Sequence, residues 1–220
     1  MSLDLPGVST WVFDMDDTLY PAGQGPLRLV EARINAYVVE AVGLEPAEAR
    51  VLQHQFLDEH GTTLAGLMAN YTIDPADFLE VVHDVPLDSI EPDPRLRELL
   101  MRLPGRRYVF TNGAQAYAGR VLERVGVADC FDGVFAIEDA DLTPKPAPAA
   151  FRRMIERFGF EPRSAAFFED TPANLAPAKA LGMTTVLIGD GRGKPMGDWI
   201  DHRAPDLLTF LDSLSLETAA

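Results

Sequence analysis

The chain has 220 residues, room for one core with an insertion or for two small domains, and 47% of them are hydrophobic. Its 34 acidic residues outnumber 19 basic ones, giving a formal charge of −15, which argues against a nucleic-acid backbone as partner. No apolar run approaches the ~20 residues that span a bilayer, and residues 1–10 lack the basic-then-apolar pattern of a secretory leader, so a cytoplasmic monomer or homodimer is expected.

In chain order, residues 11–15 form a short apolar run that predicts a buried strand. Residues 26–88 then carry helical patterns at 26–42, 46–60, 63–71 and 75–83, with no convincing strand. Asp93-Pro94 has the form of an N-cap followed by proline at the first helical position, opening a helix to Arg102. A second strand is predicted over 107–112, and a helix over 114–125 stopped by Gly126. Cys130 is the single cysteine and cannot form an intramolecular disulfide, as befits a reducing compartment. Strands at 133–137, 165–169 and 184–189 alternate with helices at 148–158 and 171–181, and the tail 213–220 is expected to fray. Strands that alternate with helices imply a parallel sheet covered on both faces. The expected fold is therefore α/β: a three-layer Rossmann-like core with a five-stranded parallel sheet, built from 1–22 and 89–220, and an all-helical cap, 23–88, inserted after the first strand. Ligands in such sheets sit beyond the carboxyl ends of the strands.

The first of those ends carries Phe13-Asp14-Met15-Asp16-Asp17-Thr18-Leu19-Tyr20. Asp14 leaves the strand, and Asp16 follows two residues on, on the same side if the chain stays extended. Carboxylates so close repel, so a cation beside them is expected. Asp14 can then coordinate the cation and attack phosphorus as a carboxylate nucleophile, while Asp16 can give and take a proton. A polar, solvated loop is the alternative reading of an Asp-x-Asp pair standing alone.

The string Asp14-x-Asp16-x-Thr18 after an apolar strand resembles the first motif of the haloacid dehalogenase-like hydrolases. Three further motifs of that family have counterparts in order. Thr111, in Val109-Phe110-Thr111-Asn112-Gly113, stands at the end of the next strand, where a hydroxyl and helix-start N–H groups can hold phosphoryl oxygens. Lys145, in Thr143-Pro144-Lys145-Pro146, is one of only three lysines in the chain and would neutralise Asp14 and a phosphate. Glu169-Asp170 closes a buried strand, where acidic groups are costly unless they bind something.

The resemblance implies a Mg²⁺-dependent phosphomonoester hydrolase working through a phospho-aspartate. Asp14 would be the nucleophile, Asp16 the acid and base, and Thr111, Asn112 and Lys145 the phosphate holders. Mg²⁺ would be bound by Asp14, Asp170, the backbone carbonyl of Asp16 and, through water, Glu169. Asn174 would orient Asp170 or a metal-bound water. Dehalogenases of the family lack the second aspartate, so Asp16 favours phosphoryl transfer.

Asp16 to Tyr20, the stretch His60-Gly61-Thr62-Thr63-Leu64-Ala65-Gly66-Leu67, residues 87–103 and Phe110 to Gly113 further resemble the pyrimidine 5′-nucleotidases of the family, which hydrolyse UMP and CMP. Gly61 to Gly66 would let backbone approach a base or sugar, or merely form a helix turn. Tyr20 would flank the substrate or pack at the cap hinge, and Pro21, Gly23, Gly25 and Pro26 read as hinge or rigid connector. The alternatives are a phosphatase for phosphoglycolate or a sugar phosphate, a phosphomutase, and a non-catalytic binder. His54, His60, His83 and His202 fall in no motif.

Overall fold

The computed structural model describes residues 4–215. Its sheet has six parallel strands in the order β3-β2-β1-β4-β5-β6. These are β1 Thr10–Phe13, β2 Arg106–Phe110, β3 Gly133–Phe135, β4 Ala165–Glu169, β5 Thr184–Ile188 and β6 His202–Ala204. The sequence predicts five. The sixth is a three-residue edge strand of His, Arg and Ala that pairs only with β5, too short and too polar to stand out as an apolar run.

Alternate residues of the strands feed two apolar layers. Trp11, Phe13, Val109, Ala166 and Phe168 point to one side, and Val12, Phe110, Phe135, Phe167 and Leu187 to the other. The first side is covered by α5 Pro94–Arg102, α6 Gln115–Val125 and α9 Leu207–Ser213. The second is covered by α7 Pro148–Phe158 and α8 Pro172–Ala180. This gives the three layers expected of an α/β sheet. Stacked rings centre it: Phe13 lies 4.7 Å from Phe168, and Phe110 meets Phe151 edge-on at 5.0 Å.

Between β1 and α5 lie α1 Leu27–Val42, α2 Pro46–His60, α3 Thr63–Asn70 and α4 Pro75–His83. Each stops or starts on a recognisable signal. Glu45 and Glu48 form a capping box ahead of α2, Thr62 and Asp74 cap α3 and α4 with side-chain oxygens, and glycines follow α1 and α2. The four helices pack on one another, and Val38, Phe56, Leu67, Phe78 and Val82 join the apolar cluster on the first side of the sheet. At the other end of the chain α9 is capped by Asp206 and followed by a buried Leu214. The expected fraying thus does not include 213 and 214, and residues 216–220 lie outside the described residues.

Gly105, which leads into β2, has φ +82°, and a Cβ there would lie 2.0 Å from the carbonyl oxygen of Ser9. Gly159, after α7, has φ +65° and open space around it. Gly159→Ala is expected to lose about 1 kcal/mol of stability for its left-handed backbone, and Gly105→Ala more than about 2 kcal/mol, because backbone must also move. Equal urea midpoints for the two variants would contradict this.

Candidate active site

The register of the three central strands sets the site. Phe13 pairs with Val109 on one side and Phe168 on the other, so the next row across the sheet is Phe110, Asp14 and Glu169. The ladder runs one step past β1, since the Asp14 N–H donates to the Phe168 carbonyl at 2.8 Å. Thr111 and Asp170 come one residue later on the flanking strands. Parallel pairing alone thus brings residues 14, 110–111 and 169–170 to one edge.

Lys145 reaches into this row from the loop before α7. Its ammonium donates to Asp14 Oδ1 at 2.6 Å, to Glu169 Oε2 at 2.8 Å and to the Phe110 carbonyl at 2.9 Å, and is 2% exposed. Asn112 fixes that loop: the Lys145 N–H donates to Asn112 Oδ1 (2.8 Å) and the Asn112 amide to the Lys145 carbonyl (3.2 Å). Thr18 donates to Asp14 Oδ2 at 3.3 Å, and the Thr111 hydroxyl accepts from the Gly113 N–H at 2.9 Å. Thr171 donates to Asp170 Oδ1 at 3.3 Å, and the Asn174 N–H closes the turn onto the Thr171 carbonyl.

Oxygens of Asp14, Glu169 and Asp170 lie within 4.8 Å of one another, and all three residues are buried. Fully ionised, three carboxylates against one ammonium would leave two negative charges, and the cluster resists that state. Burial, and then the charge of Glu169, push Asp14 up to about 7 although Lys145 opposes them. The same two causes push Asp170 up to about 9. Burial by itself would lower Lys145, but Asp14 and Glu169 outweigh it and hold the ammonium protonated. A divalent cation would remove the imbalance. Three carboxylates without nitrogen or sulfur form a hard, all-oxygen donor set of the kind Mg²⁺ prefers.

Asp16 is not one of these three clustered carboxylates. Its Oδ1 accepts from the phenols of Tyr20 and, at 2.9 Å, Tyr117. It borders a cavity of about 570 Å³ whose core wall is Asn112, Gly113 and Tyr117 and whose other wall includes Arg28, Gln53, His54 and Thr62. A second cavity, about 550 Å³, opens beside Asp17, Thr18 and Asp170. Asp16 thus borders the first cavity and Asp170 the second. Of the Gly61 to Gly66 stretch, Gly61 borders the first cavity, while Gly66 packs against the Phe56 ring and has no room to meet a ligand. His54 and His83 also border it, whereas His60 and His202 pack against Phe56 and Phe210. Tyr117 is the site residue that no motif announced.

Fold and site together define an enzyme of the Rossmann-like α/β class. The chain belongs to the haloacid dehalogenase-like hydrolase family, whose pattern matches residues 8–182. It is 28% identical over 200 residues to Phosphate metabolism protein 8 of Saccharomyces cerevisiae, a match covering 83% of this chain and 62% of that protein, so the chain spans less than two thirds of this relative. It is 25% identical over 218 residues to Glyceraldehyde 3-phosphate phosphatase of Methanocaldococcus jannaschii, covering 91% and 94%. Among solved structures, the HAD phosphatase from Thermococcus onnurineus shares the fold with a TM-score of 0.63 at 22% identity, over 93% of this chain and 97% of that one. Among the described residues, no helix is long and apolar enough to cross a membrane.

If the cluster holds a cation, Mg²⁺ raises the melting temperature of the protein, by the equivalent of about 2.7 kcal/mol when present at a hundred times its dissociation constant. Asp170→Asn should remove most of that shift. A shift of full size in the variant, read by calorimetry without any substrate, would place the ion elsewhere.

Proposed function

We propose that the protein is a Mg²⁺-dependent phosphomonoester hydrolase working through a phospho-aspartate at Asp14. The observation that carries this is one buried carboxylate, Asp14, held between Lys145 and Thr18 at a strand end, with Asp16 two residues on at the edge of a ligand-sized cavity. In the first half-reaction an Asp14 oxygen attacks phosphorus, the bond to the leaving oxygen breaks, and Asp16 gives that oxygen a proton. In the second, water attacks phosphorus, Asp16 takes its proton, and phosphate departs from a regenerated Asp14. Lys145 and the Thr111 hydroxyl bind the charge on the equatorial oxygens. Asp14 and Asp170, with Glu169 through water and the Asp16 carbonyl, would hold Mg²⁺, which when bound supplies further compensation for phosphoryl charge.

Residues 23–88 act in this reading as a cap over the core of 1–22 and 89–220. Their helices supply one wall of the cavity beside Asp16, so the cap selects the leaving group and screens the reaction from water. We take the substrates to be nucleoside 5′-monophosphates. Supporting this are the resemblance in Asp16 to Tyr20 and His60 to Leu67, and a cavity lined by amide, hydroxyl and imidazole groups suited to a base and a ribose. The relative named for glyceraldehyde 3-phosphate supports the second reading, a triose or other sugar phosphate.

Phosphate release from UMP, CMP, AMP, phosphoglycolate and several sugar phosphates tests both. UMP and CMP should lead in kcat/KM; a sugar phosphate leading by tenfold would establish the second reading, and a product isomer without free phosphate would point to a mutase. Asp14→Asn should reduce turnover at least ~10⁴-fold with the fold intact, and EDTA should abolish it until Mg²⁺ is restored. Activity persisting in either case would contradict the scheme.

A further inference from the structure

We infer that Tyr20 and Tyr117 are positioning residues for proton transfer, together holding Oδ1 of Asp16 so that its other carboxylate oxygen meets the leaving group. The inference rests on the hydrolase reading above and on the part it gives Asp16.

Asp16 sits in a turn outside regular structure. The next residue, Asp17, has φ +59°, and the N–H groups of Thr18 and Leu19 both fold back onto the Met15 carbonyl. An aspartate on such a turn keeps two rotatable side-chain bonds, and an acid that must meet one oxygen loses rate with every wrong rotamer. Two O–H donors end that freedom. They come from positions 4 and 101 residues away in the chain, so they approach from different parts of the fold. With both lone-pair sites of Oδ1 accepting, the proton that Asp16 exchanges belongs on Oδ2.

Both phenols are buried, at 6% and 2% exposure, and a buried phenol needs some partner. A backbone carbonyl would satisfy that need, as Pro104 does for the indole of Trp11. Here both choose the same oxygen of a half-buried carboxylate at the edge of the cap-side cavity. Each ring is also seated by the segment between β1 and α5. Gly25 lies so close over Tyr20 that a Cβ would fall 2.0 Å from Cε2, and the His83 ring of α4 rests on Tyr117 at 4.7 Å between centroids. The same contacts that seat the helical segment therefore aim the acid.

General acid help is worth most to a poor leaving group. The test is kcat/KM across methyl, ethyl, phenyl and p-nitrophenyl phosphates, since kcat/KM reports the step in which the leaving group departs. Tyr20→Phe and Tyr117→Phe each remove one oxygen and keep the ring. Each should lower the alkyl phosphates at least tenfold more than p-nitrophenyl phosphate, and the double variant should approach the steep leaving-group dependence of Asp16→Asn. Melting curves check that each variant folds, and the same result is expected of either one if the other does not. Equal loss on every substrate, with Asp16→Asn still steep, would overturn the inference and leave the acid assignment standing. A shallow dependence in Asp16→Asn would overturn the acid assignment, and the inference with it.

Discussion

The ammonium of Lys145 is shut away from water and shared between carboxylates from two adjacent strands, Asp14 and Glu169, with the rings of Phe110 and Phe167 at 5.0 and 5.5 Å. Such a group is a poor stabiliser. Desolvating three charges offsets much of their attraction, and apolar side chains of the same volume often serve a fold as well or better. Its use lies in what it forces on its surroundings. One positive charge cannot balance Asp14, Glu169 and Asp170, and the deficit is felt in a place where low dielectric strengthens every charge. The cluster is therefore left poised for positive charge that the chain itself does not supply, at the spot where a strand presents its carboxylate.

The sheet makes that poise inexpensive in residues. Because β2, β1 and β4 are parallel neighbours in register, single residues at their ends fall into one row. Only Lys145 has to be brought from elsewhere, and the pair of bonds between Asn112 and the Lys145 backbone ties its loop to the end of β2. Asn112, read from sequence as a phosphate holder, is thus first a clamp on the lysine loop. A side chain used in this way is invisible to motif reading, because its partner lies 33 residues away and is reached through backbone atoms.

The same distinction explains what could be read in advance. Strand ends and helix caps are local, so the apolar runs, the Asp93-Pro94 start and the stop at Gly126 were legible in sequence. The motif residues were legible because each follows such a run. β6 was not, since three residues with one neighbour carry no periodicity. Nor was Tyr117. It lies on the buried face of α6 with Ala118, Val121, Leu122 and Val125, where an aromatic residue reads as core, and only the far end of its ring is engaged with Asp16. That Asp16 borders one cavity and Asp170 the other was likewise hidden, because spacing along a chain does not say on which side of a turn a side chain emerges.

In the proposed scheme that placement bears on the chemistry. A proton donor and a cation site serve the same phosphoryl group best from different directions, one at the departing oxygen and the other at the oxygens that keep their charge. Asp17, in its left-handed conformation, turns the chain after Asp16, and Thr18 then returns to bond Asp14. Two carboxylates two residues apart can in this way differ in environment. Asp14 is buried among charges, whereas Asp16 is held by neutral phenols at the rim of a cavity whose far wall belongs to the helical segment. Under the proposed scheme, whatever that wall admits presents its leaving oxygen to Asp16, so selection of the leaving group and delivery of the proton take place together at that cavity.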